Sequence, residues 1–511
     1  MDPILSSEAL KAVDQATMIR EPISETDLMA RAGERCAERI RTGLRNKEWG
    51  EATGCVVVVG WGNNGGDGLV IARSLLVSGI AVRVFRSGAE KASSAAFEYH
   101  LASALGAGVE VIEVAETNVD EGFAAQVVIV DCLFGRSSRA GVQGECLRMI
   151  DAMNRSGRPI VAIDAPSGVG PEREASDNTD CIHATTTLVL EVPRLEMFLP
   201  ETGPCFGRWE LIPIGLDPQA LRSSPQEAEW IGKGDVQDLL RVRPRFGHKG
   251  TFGHAGLIVG SSGLFGAAVL ATKGALRSGV GLVTTQVPAQ VEGMLVATAP
   301  DAMTHADPDP CMITTLMDLE RFTTVGIGPG LGRSDRSKSI LDQLLSMASV
   351  PVVLDADALT MISADTDRLR SVRNSLVLTP HPGEMDRLLG SPSRNGRIRL
   401  ERTRDFAVEY CCTVVLKGAY TAICGPDGII RFNPTGNDGL AKGGSGDVLT
   451  GLLTGILAQG YTALEACLIA VYLHGSAGDL AAGSLGKDAM RPSDVLEFLP
   501  NAWQLLREAS E

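Results

Sequence analysis

Aromatic residues make up only 5% of the 511-residue chain, too few for the stacking platforms that hold single-stranded nucleic acids. Positive charge is also short. Lys and Arg total 47 against 62 Asp and Glu, a formal net charge of −15, which argues against a nucleic-acid partner because phosphates need a positive face. The eleven cysteines include no CxxC pair. Their odd count and scattered spacing exclude a disulfide framework and predict reduced, mostly buried thiols in a cytoplasmic protein. The seven histidines form no HExxH motif and no Cys/His cluster along the chain, which argues against zinc. No G-x4-G-K-[ST] sequence occurs, so there is no Walker A loop. The start, MDPILSSEALKAVDQ, has no basic-then-apolar signal pattern. The charge-free stretches Ala255–Thr272 and Val448–Leu464 are interrupted by glycine and hydroxyl residues. They read as loop plus buried helix rather than as membrane spans.

What the chain has in abundance is glycine, 58 residues against a usual share of ~7%. A hydrophobic content of 44% with 21% charge is that of a folded protein. From Cys55 onward, short β-branched runs alternate with helical stretches: CVVVVG (55–60), AVRVFR (81–86), AQVVIVD (125–131), PIVAIDA (159–165) and TTTLVLEV (185–192). Such buried runs separated by helices predict a parallel sheet covered on both faces. The pattern stops over 215–245, which is polar, carries three prolines and shows no strand-like run. A domain boundary is expected near 220, giving domains 1–220 and 221–511. Alternation resumes at GLIVG (256–260), TTVGIG (323–328), PVVLDAD (351–357), SLVLTP (375–380), TVVLKG (413–418) and TAICG (421–425), and closes in a long apolar helical region from Asp447 to Ala482.

The loop after the first strand, Gly60-Trp-Gly-Asn63-Asn64-Gly65-Gly66-Asp67-Gly68, satisfies GxGxxG. As a dinucleotide fingerprint it is weak. The second strand ends in Arg86 rather than in an acid for a ribose hydroxyl, and Asp67 sits where a pyrophosphate would lie. A carboxylate there suits a cation or a substrate hydroxyl better. Asp131 and Asp164 end two further strands, the second followed by Ala-Pro-Ser167-Gly. Each alone reads as a helix cap. Three acids at the carboxyl ends of parallel strands, beside one Gly/Asn loop, point to a site.

GNNGGDG, then D-x-L-F-G, then D-x-P-S-G, together with LMARAG (28–33) upstream, resembles the NAD(P)H-hydrate epimerase family. The likeness spans nearly all of 1–215 and implies a Rossmann-like doubly wound domain. It further implies that Asn63, Asn64, Gly65, Gly66 and Asp67 contact a hydrated nicotinamide nucleotide. Gly135, Arg136, Ser137, Ser138, Arg139, Ala140, Gly141 and Asp164 would line it, and Asn64, Asp131 and Ser167 would hold K+. Asp164 or Asp67 is then the candidate for proton transfer between the R and S forms. The chain departs from the family where GRSSRAG lacks a second glycine after Phe-Gly, and where Pro193-Arg194 stands in place of a lysine.

The second half carries HKG (248–250), GSSGLFGAA (260–268), GPGLG (328–332) and GNDGLAKGGSGD (436–447). Small residues at a helix start leave N–H groups free to gather phosphate oxygens. Asp447 behind them is placed to take a proton from a hydroxyl attacking phosphorus; it also reads as an N-cap. GGSGD before a helix resembles the ribokinase-like superfamily. With HKG, GPGLG, LDADAL, TPHPGE and KGAYT it resembles the ADP/ATP-dependent NAD(P)H-hydrate dehydratase branch over 240–500. By that resemblance Ala267, Gly330, His381 and Asp447 meet the substrate. Lys417, Gly418, Ala419, Tyr420, Thr421 and Gly446 hold the adenine nucleotide, which brings Mg2+. Glu384 and Asp355 read either as magnesium-shell acids or as caps or surface charges.

The sequence thus predicts a two-domain α/β enzyme, Rossmann-like then ribokinase-like, with an isomerase and a nucleotide-driven lyase in one chain. Its expected partners are small molecules and further copies of itself. The alternatives are a vitamin or sugar kinase of the ribokinase-like superfamily with a non-catalytic nucleotide-binding first half, and a redox enzyme, for which neither half has a convincing fingerprint.

Overall fold

The computed structural model describes residues 1–87, 93–114, 123, 126–135, 142–170 and 180–508. It divides into two compact units, Asp2–Ala228 with Asn395–Arg397, and Glu229–Arg394 with Ile398–Glu511 and Met1.

In the N-terminal unit, β1 (Gly54–Val59), β2 (Ala81–Ser87), β3 (Glu110–Val114), β4 (Val127–Cys132), β5 (Ile160–Ile163), β6 (Thr186–Leu190) and β7 (Arg208–Ile212) form one sheet. Its order is β3-β2-β1-β4-β5-β6-β7, with every pair parallel. The apolar runs are continuous because both faces are covered. Cys55, Val57 and Val59 join one core cluster and Val56 and Val58 the other, each valine worth about 1.5–3 kcal/mol on burial. Chain order reverses between β1 and β4, and the crevice at the carboxyl ends of that pair is where such sheets bind ligands. β3 and β7 escape the sequence reading because their exposed, charged positions break the apolar run.

In the C-terminal unit, the end of β8 (Gln226–Trp230; Glu229 and Trp230 belong to this unit), β9 (His254–Ile258), β10 (Leu282–Pro288), β11 (Met303–Asp307), β12 (Thr324–Ile327), β13 (Val352–Leu354), β14 (Leu376–Leu378), β15 (Thr413–Leu416), β16 (Ala422–Cys424) and β17 (Ile430–Phe432) run β8-β17-β16-β15-β14-β13-β12-β9-β10-β11. Pairing is parallel except for the antiparallel steps β15–β16 and β16–β17. One expectation is corrected here. The polar 215–245 segment does contain a strand, β8, whose Glu229 and Trp230 pair with Arg431 and Phe432; backbone pairing with β17 overrides its unfavourable composition. The closing apolar region is two helices, Ser445–Ala458 and Ala463–Leu485, separated at Gly460, which takes a φ of +86°. The second is long and apolar enough to cross a membrane, yet 67% of its apolar stretch is buried within the unit.

The switch point of this sheet lies between β9 and β12. Gly330 follows β12 in the left-handed region (φ +60°), and a Cβ there would stand 3.0 Å from Ala267 Cβ. The two glycine-rich loops therefore meet over the strand ends.

Candidate active sites

GNNGGDG is not a loop before a helix. It is the helix start, since the helix runs Asn63–Val77 with Gly62 as N-cap. The glycines allow that first turn to press onto its neighbours. A Cβ on Gly65 would come 2.0 Å from the Gly60 carbonyl oxygen, on Gly66 2.3 Å from Met29 Sδ, and on Gly68 2.8 Å from Cys132 Cβ. Asn63 lies outermost, its Nδ2 donating to Glu25 Oε1 (3.0 Å) and its Oδ1 accepting from Ser94 Oγ (3.2 Å). At the end of β2, Arg86 stacks on Trp61, 4.4 Å from the ring centroid, and pairs with Glu113.

Asn64, Asp67, Asp131, Asp164 and Ser167 are all buried. Asp131 Oδ1 accepts from Ser167 Oγ (2.6 Å) and Leu133 N–H (3.2 Å), and Oδ2 accepts from Ser167 N–H (2.8 Å). Burial lifts its pKa to about 6 against those hydrogen bonds. Asn64 Nδ2 donates to the Phe134 carbonyl (2.9 Å), which also lies 3.3 Å from Ser167 Oγ. Asn64 Oδ1 is buried with no hydrogen-bond partner among the described residues. An orphaned amide oxygen, a carboxylate, a hydroxyl and a main-chain carbonyl form an all-oxygen set, the kind that suits a hard cation. The Phe134 carbonyl was not visible as a candidate in the sequence.

Burial first, then the charges of Asp67 and Asp164, hold the Cys36 thiol far above its usual pKa. At Cys132 the same holds with Asp131 and Asp67. Asp67 in the helix and the strand-end acids Asp131 and Asp164 therefore lie near the same pair of buried thiols. Asp164 itself sits at φ +69°, and Arg194 clamps it. Arg194 Nη2 pairs with Asp164 Oδ1 and Nε donates to its carbonyl (3.1 Å), both residues being buried. Arg194 is thus the cationic partner of the site acid. Arg194→Ala is expected to cost about 3–5 kcal/mol of unfolding free energy. Pairing it with Asp164→Asn should recover much of the loss, measured by denaturant melts. Gly135 is described, its would-be Cβ 3.1 Å from Asn64 Cβ. Arg136, Ser137, Ser138, Arg139, Ala140 and Gly141 lie outside the described residues.

The C-terminal unit gathers its candidates at the ends of β13, β14 and β15. Asp355 is 1% exposed; its Oδ1 accepts from Lys417 Nζ (2.9 Å) and its Oδ2 from Thr450 Oγ1 (2.6 Å). Both oxygens are engaged, so Asp355 is a buried network member. Glu384 is a cap: its Oε2 accepts from His381 N–H (2.9 Å), while His381 Nδ1 accepts from Gly383 N–H (3.1 Å) and Glu384 N–H (3.3 Å). Glu384 is thus the cap that the sequence left open, whereas Asp355 is neither a cap nor a surface charge but is held by Lys417 and Thr450. Thr450 escaped the sequence reading, although it lies three residues after Asp447 on the same helix face.

Asp447 stands in the first turn of Ser445–Ala458, behind Gly444 at φ +102°. Its carboxylate has no hydrogen bond among the described residues. Burial, then repulsion from Asp355, raises its pKa to about 7, against the attraction of Lys417. Burial opposes the Lys417 charge, but Asp355, Glu384 and Asp447 outweigh it and hold the ammonium above its ordinary pKa. A Cβ on Gly446 would lie 3.3 Å from Lys417 Nζ, so the helix start sits directly on the ion pair. Gly418, Ala419, Tyr420 and Thr421 continue from Lys417 at the strand end, with Gly418 and Ala419 exposed and Tyr420 5.9 Å from Trp230, centroid to centroid. His474, buried against the Ser445 turn, was also missed; burial drives its pKa down to about 4, leaving a neutral imidazole.

Residues 25–195 match the family described as YjeF-related protein N-terminus, and residues 255–501 the family described as NAD(P)H-hydrate dehydratase. Across 99% of this chain and 98% of its own length, the bifunctional NAD(P)H-hydrate repair enzyme of Moorella thermoacetica is 34% identical. The Coxiella burnetii protein of the same name is 32% identical over 94% of this chain and 95% of its own. The chain belongs to the bifunctional NAD(P)H-hydrate repair enzyme family. Among solved structures, the ADP/ATP-dependent NAD(P)H-hydrate dehydratase of Bacillus subtilis, crystallised with ATP and Mg2+, is 32% identical, covers 55% of this chain and 100% of its own, and superposes with a TM-score of 0.49.

Within the family's dehydratase half, the Lys417–Asp355–Asp447 arrangement makes a specific expectation. Lys417 lowers the Asp447 pKa, so Lys417→Met should raise it, and a kcat/KM limb set by this carboxylate should move to higher pH. An unshifted profile at reduced rate would assign Lys417 to nucleotide contact alone.

Proposed function

We propose that the chain repairs hydrated NADH and NADPH in two steps. Residues 1–220 interconvert the R and S hydrates, and residues 221–511 dehydrate the S form at the expense of ADP or ATP. The observation that carries this reading is a pair of strand-end clusters in one chain, each built on the motifs of one family half.

In the first site, Asn63, Asn64, Gly65, Gly66, Asp67, Gly135 and Asp164 would meet the hydrated ring, with 136–141 completing its lining. Asp164 or Asp67 moves the proton that opens and recloses the hydrated carbon. Asn64, Asp131, Ser167 and the Phe134 carbonyl would hold K+, which supplies fixed positive charge beside the substrate.

In the second, Ala267, Gly330 and His381 position the hydrated nicotinamide. Lys417, Gly418, Ala419, Tyr420, Thr421 and Gly446 take the nucleotide. With Asp355 and Glu384 already engaged, Mg2+ would ride on the nucleotide's own phosphates and neutralise their charge. Asp447 takes the proton of the ring hydroxyl, whose oxygen bonds to the terminal phosphorus as AMP or ADP leaves. The ring nitrogen lone pair then expels the phosphate, and the neighbouring carbon gives up a proton to restore the double bond. A cytoplasmic homo-oligomer completes the reading.

The test is purified S hydrate with Mg2+ and either ADP or ATP. The reading expects one phosphate released per dihydronicotinamide formed, with one nucleotide preferred. A stable phosphorylated product without absorbance recovery would instead identify a kinase.

A further inference from the structure

Neither site uses a cluster that the fold assembles in the N-terminal unit. Along the sequence no Cys/His metal pattern exists, but in space Cys181, His183 and Cys205 bring three ligand atoms within 4.8 Å of one another. Cys181 and Cys205 are fully buried, their Sγ atoms 3.1 Å apart, and His183 closes the cluster from the exposed side. The backbone around them is held independently of the sulfurs. Asn154 Nδ2 donates to the Cys181 carbonyl (2.9 Å), His183 N–H to Asn154 Oδ1 (3.0 Å), and Ala184 N–H to the Cys205 carbonyl (2.8 Å).

We propose that Cys181, His183 and Cys205 bind a thiophilic d10 metal ion, Zn2+ by its donor preference, with water in the fourth position. Two thiolates and an imidazole are a zinc donor set. Zn–S bonds of ~2.3 Å set a tetrahedral S···S edge of roughly 3.8 Å, so the sulfurs need to part by only about 0.7 Å. A disulfide would need them to close by about 1 Å and would give His183 no part. The imidazole on the open side also provides an entry path. Binding displaces one proton from each thiol to solvent, so affinity rises with pH. Because Ile182 N–H donates to the Ser167 carbonyl (2.8 Å), the metal would brace the turn beside the Asp131–Ser167 cluster.

The experiment uses the full chain, reduced and stripped of metal, titrated with Co2+ and then Zn2+. One equivalent of Co2+ should produce thiolate charge-transfer and tetrahedral ligand-field bands, bleached by one equivalent of Zn2+. His183→Ala, a surface change that spares the core, should weaken Co2+ binding by about tenfold or more. Cys205→Ser should remove most of the charge-transfer intensity. Absent charge-transfer bands, or Co2+ uptake indifferent to His183→Ala, would overturn the site. Loss of two hydrogens by mass on treatment with an organic disulfide, without metal uptake, would assign the cysteines to a redox pair instead.

Discussion

Asp447→Asn is expected to lower kcat for dehydration by about 10²–10⁴-fold and, at the same time, to stabilise the fold above neutral pH. The first effect follows from removing the carboxylate behind the Gly443–Gly446 turn that, among the described residues, has no hydrogen-bond partner. The second follows from its environment. Burial and Asp355 raise the Asp447 pKa from 3.8 to about 7, so between those values the folded chain holds a proton that the unfolded chain has released. Stability contributed by this group therefore falls as pH rises through the window, and the whole cost is present above about 7. Asn carries no such cost. Thermal melts at pH 5 and pH 8.5 should show a variant advantage that is larger at the higher pH, beside a flat, low pH–rate profile. In the parent protein kcat/KM should climb through about pH 7, because only the ionised carboxylate accepts the hydroxyl proton. A variant that retains activity, or a profile flat across pH 6–8, would remove Asp447 from the proton-transfer role.

Asp164→Asn is expected to leave exchange between the R and S hydrates at the solvent rate. Asp164 is buried, held at φ +69° and paired with Arg194, so its carboxylate is fixed in direction. Fixed orientation at a strand end is what a positioned proton-transfer group requires. A single epimer incubated without nucleotide should equilibrate quickly with the parent protein and slowly with the variant. Asp67→Asn, measured in parallel, separates the two candidate acids. Equal exchange by the parent and both variants would reduce the N-terminal unit to a binding module.

Much of this was legible in the residues. The valine and isoleucine runs of β1, β4 and β5 mark themselves because both faces are buried, and the acids that end β4 and β5 fall where a parallel sheet opens its crevice. The glycine motifs were legible as sites but not as local geometry. GNNGGDG reads as a loop because glycine and asparagine favour turns, yet it is a helical turn that close packing forces to be small. β8 was lost because a strand reading Gln-Glu-Ala-Glu-Trp has no apolar run and takes its place by pairing with β17. The Arg194 clamp on Asp164 and the meeting of Cys181 with Cys205 are products of topology, joining residues with no shared motif. Thr450 was the recoverable omission, one turn beyond a residue already singled out.

Two activities in one chain are tested together by near-UV absorbance recovery from a mixed R and S NADH hydrate with Mg2+ and ADP or ATP. Full recovery is expected with one nucleotide, at a rate well above spontaneous epimer exchange, with one phosphate released per dinucleotide. Recovery that stops at the S fraction and then creeps at the solvent rate would contradict the epimerase half, and no recovery with either nucleotide would contradict the dehydratase half.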